Sequence, residues 1–336
     1  MSETSSITSN SSIGSYNYSD SLSSDDDDIL ILTGDNMLRH GLKLLGWTDR
    51  QLDRKSRRKR EKQFFLFKSD YGASPHVVAQ IFEDLQTTNI VAAQIRNASL
   101  EDVCFLFFAL NILKVYPTEG QRQNKWHRCD KKLREHGWDM LLRLQALKTA
   151  KIVWPTAAEI GNNIFIGSVD GTHVEIEEPN HPVFPKDKTA FSYKNHSAGL
   201  AYEIVVSLSE SRIIWINGPF PASMHDSKIF NSPGGLRARL EGTGLRLIGD
   251  SGYQGNDDIV SRLNSMDSQE VSKFKTRARL RHEAVNAKIK TLRCTDSGRF
   301  RHKGNHKGQS KFQVFFEAAV VITQYKMEIS EPLFDI

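Results

Sequence analysis

Ile164-Phe-Ile-Gly-Ser-Val-Asp-Gly-Thr-His173 decides the fold. An apolar run of strand length drives into an aspartate and then a glycine, which reads as a buried strand ending on Asp170 at a sheet edge. Taken alone, the carboxylate at its end signals no more than a turn. Leu245-Arg-Leu-Ile-Gly-Asp-Ser-Gly-Tyr253 repeats the design, with Asp250 after another short apolar strand and Gly252 beside it. Ligands of α/β sheets collect at strand ends, because the strand fixes the backbone while the loop beyond admits water and ions. A third carboxylate lies in Arg281-His-Glu-Ala-Val-Asn-Ala-Lys-Ile-Lys290, where Val285, Ile289 and Leu292 mark a buried helix face. Glu283, Asn286 and Lys290 repeat that spacing on the adjacent face. Two strand-end acids and one helical acid form a hard-oxygen donor set suited to Mg²⁺ or Mn²⁺. Two such ions about 4 Å apart would serve phosphodiester hydrolysis.

Working outward, Val174 and Ile176 alternate with Glu175 and Glu177 as in a half-exposed strand. Tyr202–Leu208 and Ile213–Ile216 read as strands joined by the turn Ser209-Glu-Ser-Arg212. A helix covers Leu280–Leu292, and a last one runs over Lys311–Met327 with Phe312, Phe315, Phe316, Ala319 and Val320 on one face. Upstream of a change of period near Trp154-Pro155 the pattern is helical. Ser74-Pro75 opens one helix and Ser99-Leu-Glu-Asp102 forms a capping box for another, while a third covers roughly Lys125–Thr149. These helices fit either a helix-turn-helix DNA reader or a plain helical cap. The expected organisation is a tail at 1–28, a basic linker at 29–63, a helical domain at 64–151 and an α/β domain at 152–336.

Charge supports a polyanionic partner. The chain carries 45 Lys and Arg against 40 Asp and Glu. Six of the acids fall in the serine-rich residues 1–28, which hold no base, so the remainder is strongly basic. That opening segment has too little apolar surface to offset ordering entropy and reads as a disordered tail. Ser23 and Ser24 each precede an Asp by three, as in acidophilic kinase sites, where phosphorylation is expected to weaken DNA binding. Arg54-Lys-Ser-Arg-Arg-Lys-Arg-Glu-Lys62 has the density of a nuclear import signal or a phosphate-binding arm, so the expected location is the nucleus. Between Ser272 and Lys303 eleven Lys or Arg face two acids, Glu283 and Asp296. Arg277, Arg279, Arg281 and Lys290, with Lys194 and His302, are the candidate DNA-backbone contacts. Three scattered cysteines, Cys104, Cys129 and Cys294, argue against a disulfide framework or zinc site and fit a reducing compartment. No apolar run is long enough for a membrane span, and the N-terminus lacks the order of a signal peptide.

Several blocks then resemble a known family. Val-Asp-Gly-Thr-His173, Gly-Asp-Ser-Gly-Tyr-Gln-Gly255 and Arg-His-Glu-Ala-Val-Asn286 are similar to the three catalytic blocks of DDE superfamily endonucleases related to PIF/Harbinger transposases. Tyr193-Lys194, Gly199-Leu-Ala-Tyr-Glu203, Trp215-Ile-Asn-Gly-Pro-Phe-Pro221, His225-Asp-Ser-Lys-Ile-Phe230, Arg299-Phe-Arg-His302 and Pro332-Leu-Phe-Asp335 follow in family order. The resemblance covers Ile152 to the C-terminus and weakly the preceding helices. It implies an RNase H-like catalytic domain, a mixed sheet flanked by helices, with Asp170, Asp250 and Glu283 binding two divalent metal ions. It also implies a DNA substrate and a separate Myb-like DNA-binding partner; association with further copies of the chain is a separate expectation, and the sequence leaves the oligomeric state open. Asp226 reads either as a further acid near the site or as a cap for the helix after it. His173 and His225 either tune the acids or are structural, the structural role being favoured for His173. Three activities are consistent with these residues: a transposase that cuts and rejoins, a phosphoesterase that only cuts, and a retired transposase kept as a DNA-binding scaffold. The last has no chemical reason to retain all three acids.

Overall fold

The computed structural model describes residues 29–53, 56–126, 130–177, 190–296, 300–302 and 304–336. The expected acidic tail with Ser23 and Ser24, the start of the basic run at Arg54 and Lys55, and Cys129 lie outside them.

The N-terminal part is all helical: α1 (Gly34–Leu44), α2 (Asp49–Leu52), α3 (Arg57–Tyr71), α4 (Pro75–Thr87), α5 (Leu100–Val115), α6 (Glu119–Trp126), α7 (Asp130–Ala146), α8 (Lys148–Lys151) and α9 (Ala157–Ile160). Both expected start signals operate. Ser74 accepts the Val77 N–H ahead of Pro75, and Ser99 and Asp102 close a reciprocal capping box. The helix expected over Lys125–Thr149 is replaced by α6, α7 and α8.

The strands are β1 (Phe165–Glu175), β2 (Phe191–Ser192), β3 (Ser197–Ser207), β4 (Ile213–Pro221), then α10 (Asp226–Phe230), α11 (Leu236–Leu240), β5 (Arg246–Ile248) and β6 (Val260–Ser261). They are followed by α12 (Gln269–Lys290), α13 (Arg293–Asp296), a two-stranded ladder of β7 (Asn305–His306) and β8 (Gln309–Ser310), and α14 (Lys311–Ile329). The main sheet is mixed. β1, β3 and β4 pair antiparallel, whereas β5 adds to the other edge of β1 in parallel and β6 to β5. Helices cover both faces, the architecture expected of an RNase H-like domain.

Two apolar clusters hold the sheet. One face carries Val174, Tyr202, Ile204 and Val206 against α12 and α14, and this core runs without interruption into the N-terminal helices through Phe67, Phe82 and Phe107. α14 is therefore a central helix, buried on every side rather than along one face. The other face packs Val169, Val205, Leu247 and Tyr253 against Phe230, Leu236 and Leu240 of α10 and α11. No helix among the described residues is long and apolar enough to cross a membrane.

One expectation is corrected. β1 does not end on Asp170 but continues to Glu175, because β3 pairs with it throughout, from Gly167↔Ser207 to Glu175↔Gly199. The apolar run stops earlier because β5 covers the opposite edge only as far as Ser168↔Ile248. Beyond that rung β1 is paired on a single side, and its burial becomes alternating, with Thr172 and Val174 buried between half-buried neighbours.

Candidate active site

Asp170 and Asp250 stand two residues beyond that last parallel rung, Ser168↔Ile248. Where β5 leaves β1, the backbone opens and both carboxylates project at the carboxyl end of the parallel pair, the place where α/β sheets present ligands. Each acid is oriented by the glycine that follows it. Asp170 Oδ1 accepts the Gly171 N–H at 2.8 Å, and Asp250 Oδ1 accepts the Gly252 N–H at 2.8 Å. Asp226, in the first turn of α10, approaches from the side of the sheet that carries Gly171. A Cβ on Gly252 would come within 2.6 Å of Asp226 Oδ2 and 2.9 Å of Asp250 Oδ1, and a Cβ on Gly171 would collide with Asp226 Oδ1. Both glycines are required because the third acid occupies the volume a side chain would fill.

Three acids drawn together repel. Burial, then Asp250, then Asp226 push the Asp170 carboxyl up to about 6. Burial and Asp250 likewise raise Asp226, with Lys194 opposing. Lys194 is exposed, and its charge reaches Asp170, Asp226 and His173. His173 Nδ1 lies 3.0 Å from Asn195 Nδ2, and burial followed by Lys290 and Lys194 lowers its pKa. Of the two lysines predicted as backbone contacts, Lys194 thus reaches two of the acids, and Lys290 reaches His173.

α12 brings Glu283 to the same side of the sheet as Asp170. Ser168 and Asp170 share a face of β1, and buried His282 packs onto that face, its Nδ1 3.2 Å from Ser168 Oγ and 3.0 Å from Ser168 O. The next residue, Glu283, is exposed. Three residues on, half-buried Asn286 has an Oδ1 with no hydrogen-bond partner among the described residues. Among the described residues Glu283 makes no hydrogen bond or ion pair with the aspartates, and no three His, Cys, Asp or Glu side chains converge into a metal cage. The acids form a loose cluster. Their hard oxygen donors and mutual repulsion nevertheless fit a divalent cation, which would relieve the crowding that lifts Asp170.

The other predicted basic contacts separate. Arg279 is half-exposed on α12. Arg277 is exposed, but donates to the Asp335 carbonyl and lies 5.7 Å from the Phe334 ring centre, so it holds the C-terminal segment. Arg281 is a correction: it is 1% exposed and donates to the carbonyls of Ser207, Glu210 and Phe334, so its guanidinium does not face a DNA backbone. His302 is also corrected. It is wedged among Tyr116, Trp138, Phe300 and Phe315, and burial lowers it to about 4, leaving a neutral packing group.

Sequence reasoning gave no role to Glu203. It pairs with Gly171 across β1 and β3, is 1% exposed, and is pushed up to about 8, by burial first. The Trp215 indole is near enough to restrain that rise, yet among the described residues neither carboxylate oxygen nor Trp215 Nε1 completes a hydrogen bond. The buried Tyr253 hydroxyl beside this group also lacks a partner among the described residues. An acid in the middle of Ala201-Tyr-Glu-Ile-Val-Val206 was the available signal.

No curated protein and no solved structure matches the chain. Residues 169–324, from β1 to the last turns of α14, match the family model of the DDE superfamily endonucleases, and over that segment the chain carries a DDE superfamily endonuclease domain.

Proposed function

We propose that the chain is a divalent-metal-dependent DNA endonuclease of the PIF/Harbinger transposase type, with Asp170, Asp250 and Glu283 holding two Mg²⁺ or Mn²⁺ ions. The observation that carries this reading is the placement of Asp170 and Asp250 two residues past the end of the β1–β5 pairing, crowded enough for burial and like charge to raise Asp170 to about 6. Metal ions bound there supply a water nucleophile of lowered pKa and neutralise charge on the leaving oxygen.

The chain's own residues do the rest. Asp170 and Asp250, each pinned by its glycine N–H, present oxygens from a rigid strand pair. Glu283 offers a third carboxylate from α12, and Asp226 a further acid facing Gly171 and Gly252. The bare backbone at these glycines leaves room for the Asp226 carboxylate beside the other two, and Lys194 and Lys290 offset the charge of a phosphodiester bound there. The partners under this reading are DNA, further copies of the chain and, as the transposase resemblance implies, a Myb-like DNA-binding protein. The basic run through Lys62 fits a nuclear location.

The test is cleavage of duplex DNA carrying candidate element ends, with Mg²⁺ or Mn²⁺ and with EDTA, comparing wild type with Asp250→Asn. Metal-dependent nicking that falls at least a hundredfold in the variant is expected, together with weaker Mn²⁺ binding by calorimetry. Equal cutting by both proteins ends the assignment.

A further inference from the structure

Away from the acids, α3, α5 and α13 border an open cavity of about 470 Å³ lined by Phe65, Lys68, Ser69, Lys114, Val115 and Arg293. Three of its six lining residues are cations, and none is an acid. Behind the wall, one carboxylate serves three ammonium groups: Glu331 lies 2.5 Å from Lys68 Nζ, 3.2 Å from Lys288 Nζ and 3.8 Å from Lys326 Nζ. Lys114 Nζ donates to the Thr291 carbonyl at 2.7 Å, a neutral partner. Burial, followed by repulsion from Arg293 and Lys68, pulls Lys114 below its ordinary pKa. Among the described residues, positive charge is concentrated here beyond what the protein neutralises, which is the condition of an anion site.

The rim adds a second chemistry. Phe65 is 71% exposed although its neighbours on α3, Phe64 and Phe67, are half-buried and buried. A lone exposed apolar side chain is ordinary, but this ring stands at the mouth of a cationic cavity. On α3 it also belongs to an exposed stripe of Arg58, Lys62, Phe65 and Ser69, at i, i+4, i+7 and i+11. At 1.5 Å per residue the stripe is about 16 Å long and leads from the basic run into the cavity. Four cations also fill the first turn of α3, at the end of the helix dipole that disfavours them, and among the described residues only Arg57 and Arg60 have acidic partners, Glu61 and Asp35. On the other side, Arg293 follows Lys290, whose charge reaches His173, across the end of α12.

We infer that this cavity and stripe bind a single strand of nucleic acid, with a phosphate seated by Lys68, Lys114 and Arg293 and its base stacked on Phe65. Cations that track the backbone beside an aromatic ring that accepts any base are the elements of single-strand recognition. Arg293, three residues past Lys290, links the end of α12 to the cations and the ring of α3. The inference rests on the nuclease reading only for the choice of polymer.

The probe is fluorescence anisotropy of labelled (dT)12 with the full chain, in EDTA so that nothing is cut. Phe65→Ala weakens binding by about tenfold, while Phe65→Trp binds at least as tightly as wild type. Arg293→Gln weakens binding and lowers the dependence on log salt by about 0.7. Both positions are exposed, and unchanged circular dichroism excludes misfolding. Affinities equal to wild type in Phe65→Ala and Arg293→Gln overturn the proposal. Competition by dTMP distinguishes strand from free nucleotide: displacement only at a large excess supports a strand, and displacement at equal nucleotide concentration overturns it in favour of a mononucleotide. Asp250→Asn separates the two readings, because it removes cleavage and leaves the Phe65 and Arg293 effects on (dT)12 intact.

Discussion

Glu203 permits a quantitative test of the protein beneath the acid cluster. Its carboxyl is 1% exposed, lacks a completed hydrogen bond and is raised from 4.5 to about 8, so at pH 7 about nine in ten native molecules carry the proton. The unfolded chain ionises near the ordinary value. Between those two pKa values the native state binds one proton more than the unfolded state, so stability is fully present below pH 4.5 and declines as pH rises towards 8. Each pH unit in that window costs about 1.4 kcal/mol, and from pH 5.5 to 7.5 the loss is about 2.7 kcal/mol, an upper figure because a buried carboxyl relaxes. Glu203→Gln keeps the shape, offers an amide oxygen to the Trp215 N–H and has no proton to lose.

Urea titrations of wild type and Glu203→Gln at pH 5.5, 6.5 and 7.5 in EDTA read this out. The variant gains on wild type as pH rises, and at a urea m-value of roughly 3 kcal/mol/M the gap between midpoints widens by nearly 1 M. Midpoints that move in parallel across the three pH values refute the reasoning, because they would show Glu203 ionised in the native protein.

Two further substitutions test the geometry. Arg281→Met removes the donor shared by the carbonyls of Ser207, Glu210 and Phe334, and is expected to cost about 2–4 kcal/mol and to expose the C-terminal segment to protease; a variant as stable and protease-resistant as wild type contradicts this role. Gly171→Ala places a methyl group against Asp226 Oδ1 and should cost about 1–3 kcal/mol by thermal unfolding, with Asp226→Ser restoring most of it; no recovery in the double variant argues against the contact.

The local signals of chain geometry were legible where they were chemically specific. Ser74-Pro75 and Ser99 with Asp102 mark the true starts of α4 and α5, because an oxygen acceptor or a missing N–H at those positions has one structural use. The start of α12 was hidden. Gln269–Lys275 looks polar, yet it is helical because Ser268 caps it and Lys275, 6% exposed, is neutralised by Asp267 at 2.9 Å. Arg281 was misread for the complementary reason. Its charge places it with its basic neighbours in sequence, whereas its three acceptors are backbone carbonyls 74, 71 and 53 residues away, which no residue pattern displays. Asp170, Asp226 and Asp250 were each visible as acids beside small residues. That Asp226 fills the space left by Gly171 and Gly252 required the fold.

The brevity of β5 explains the arrangement. Were it to pair with β1 beyond Ser168↔Ile248, Gly249 and Asp250 would be ladder residues, and Asp170 would lie inside a fully covered strand. A carboxylate buried on both edges in that way would be neutral or absent. Ending the pairing one rung earlier would instead remove the partner strand from Ser168 and Ile248, both buried. The termination therefore sits between the last residue that needs covering and the first that needs water. β3, paired along the other edge of β1 to Glu175, supplies the rigidity that the missing β5 rungs do not. The apolar run and the aspartate that interrupts it report that one-sided loss of pairing, and the strand itself continues beyond it.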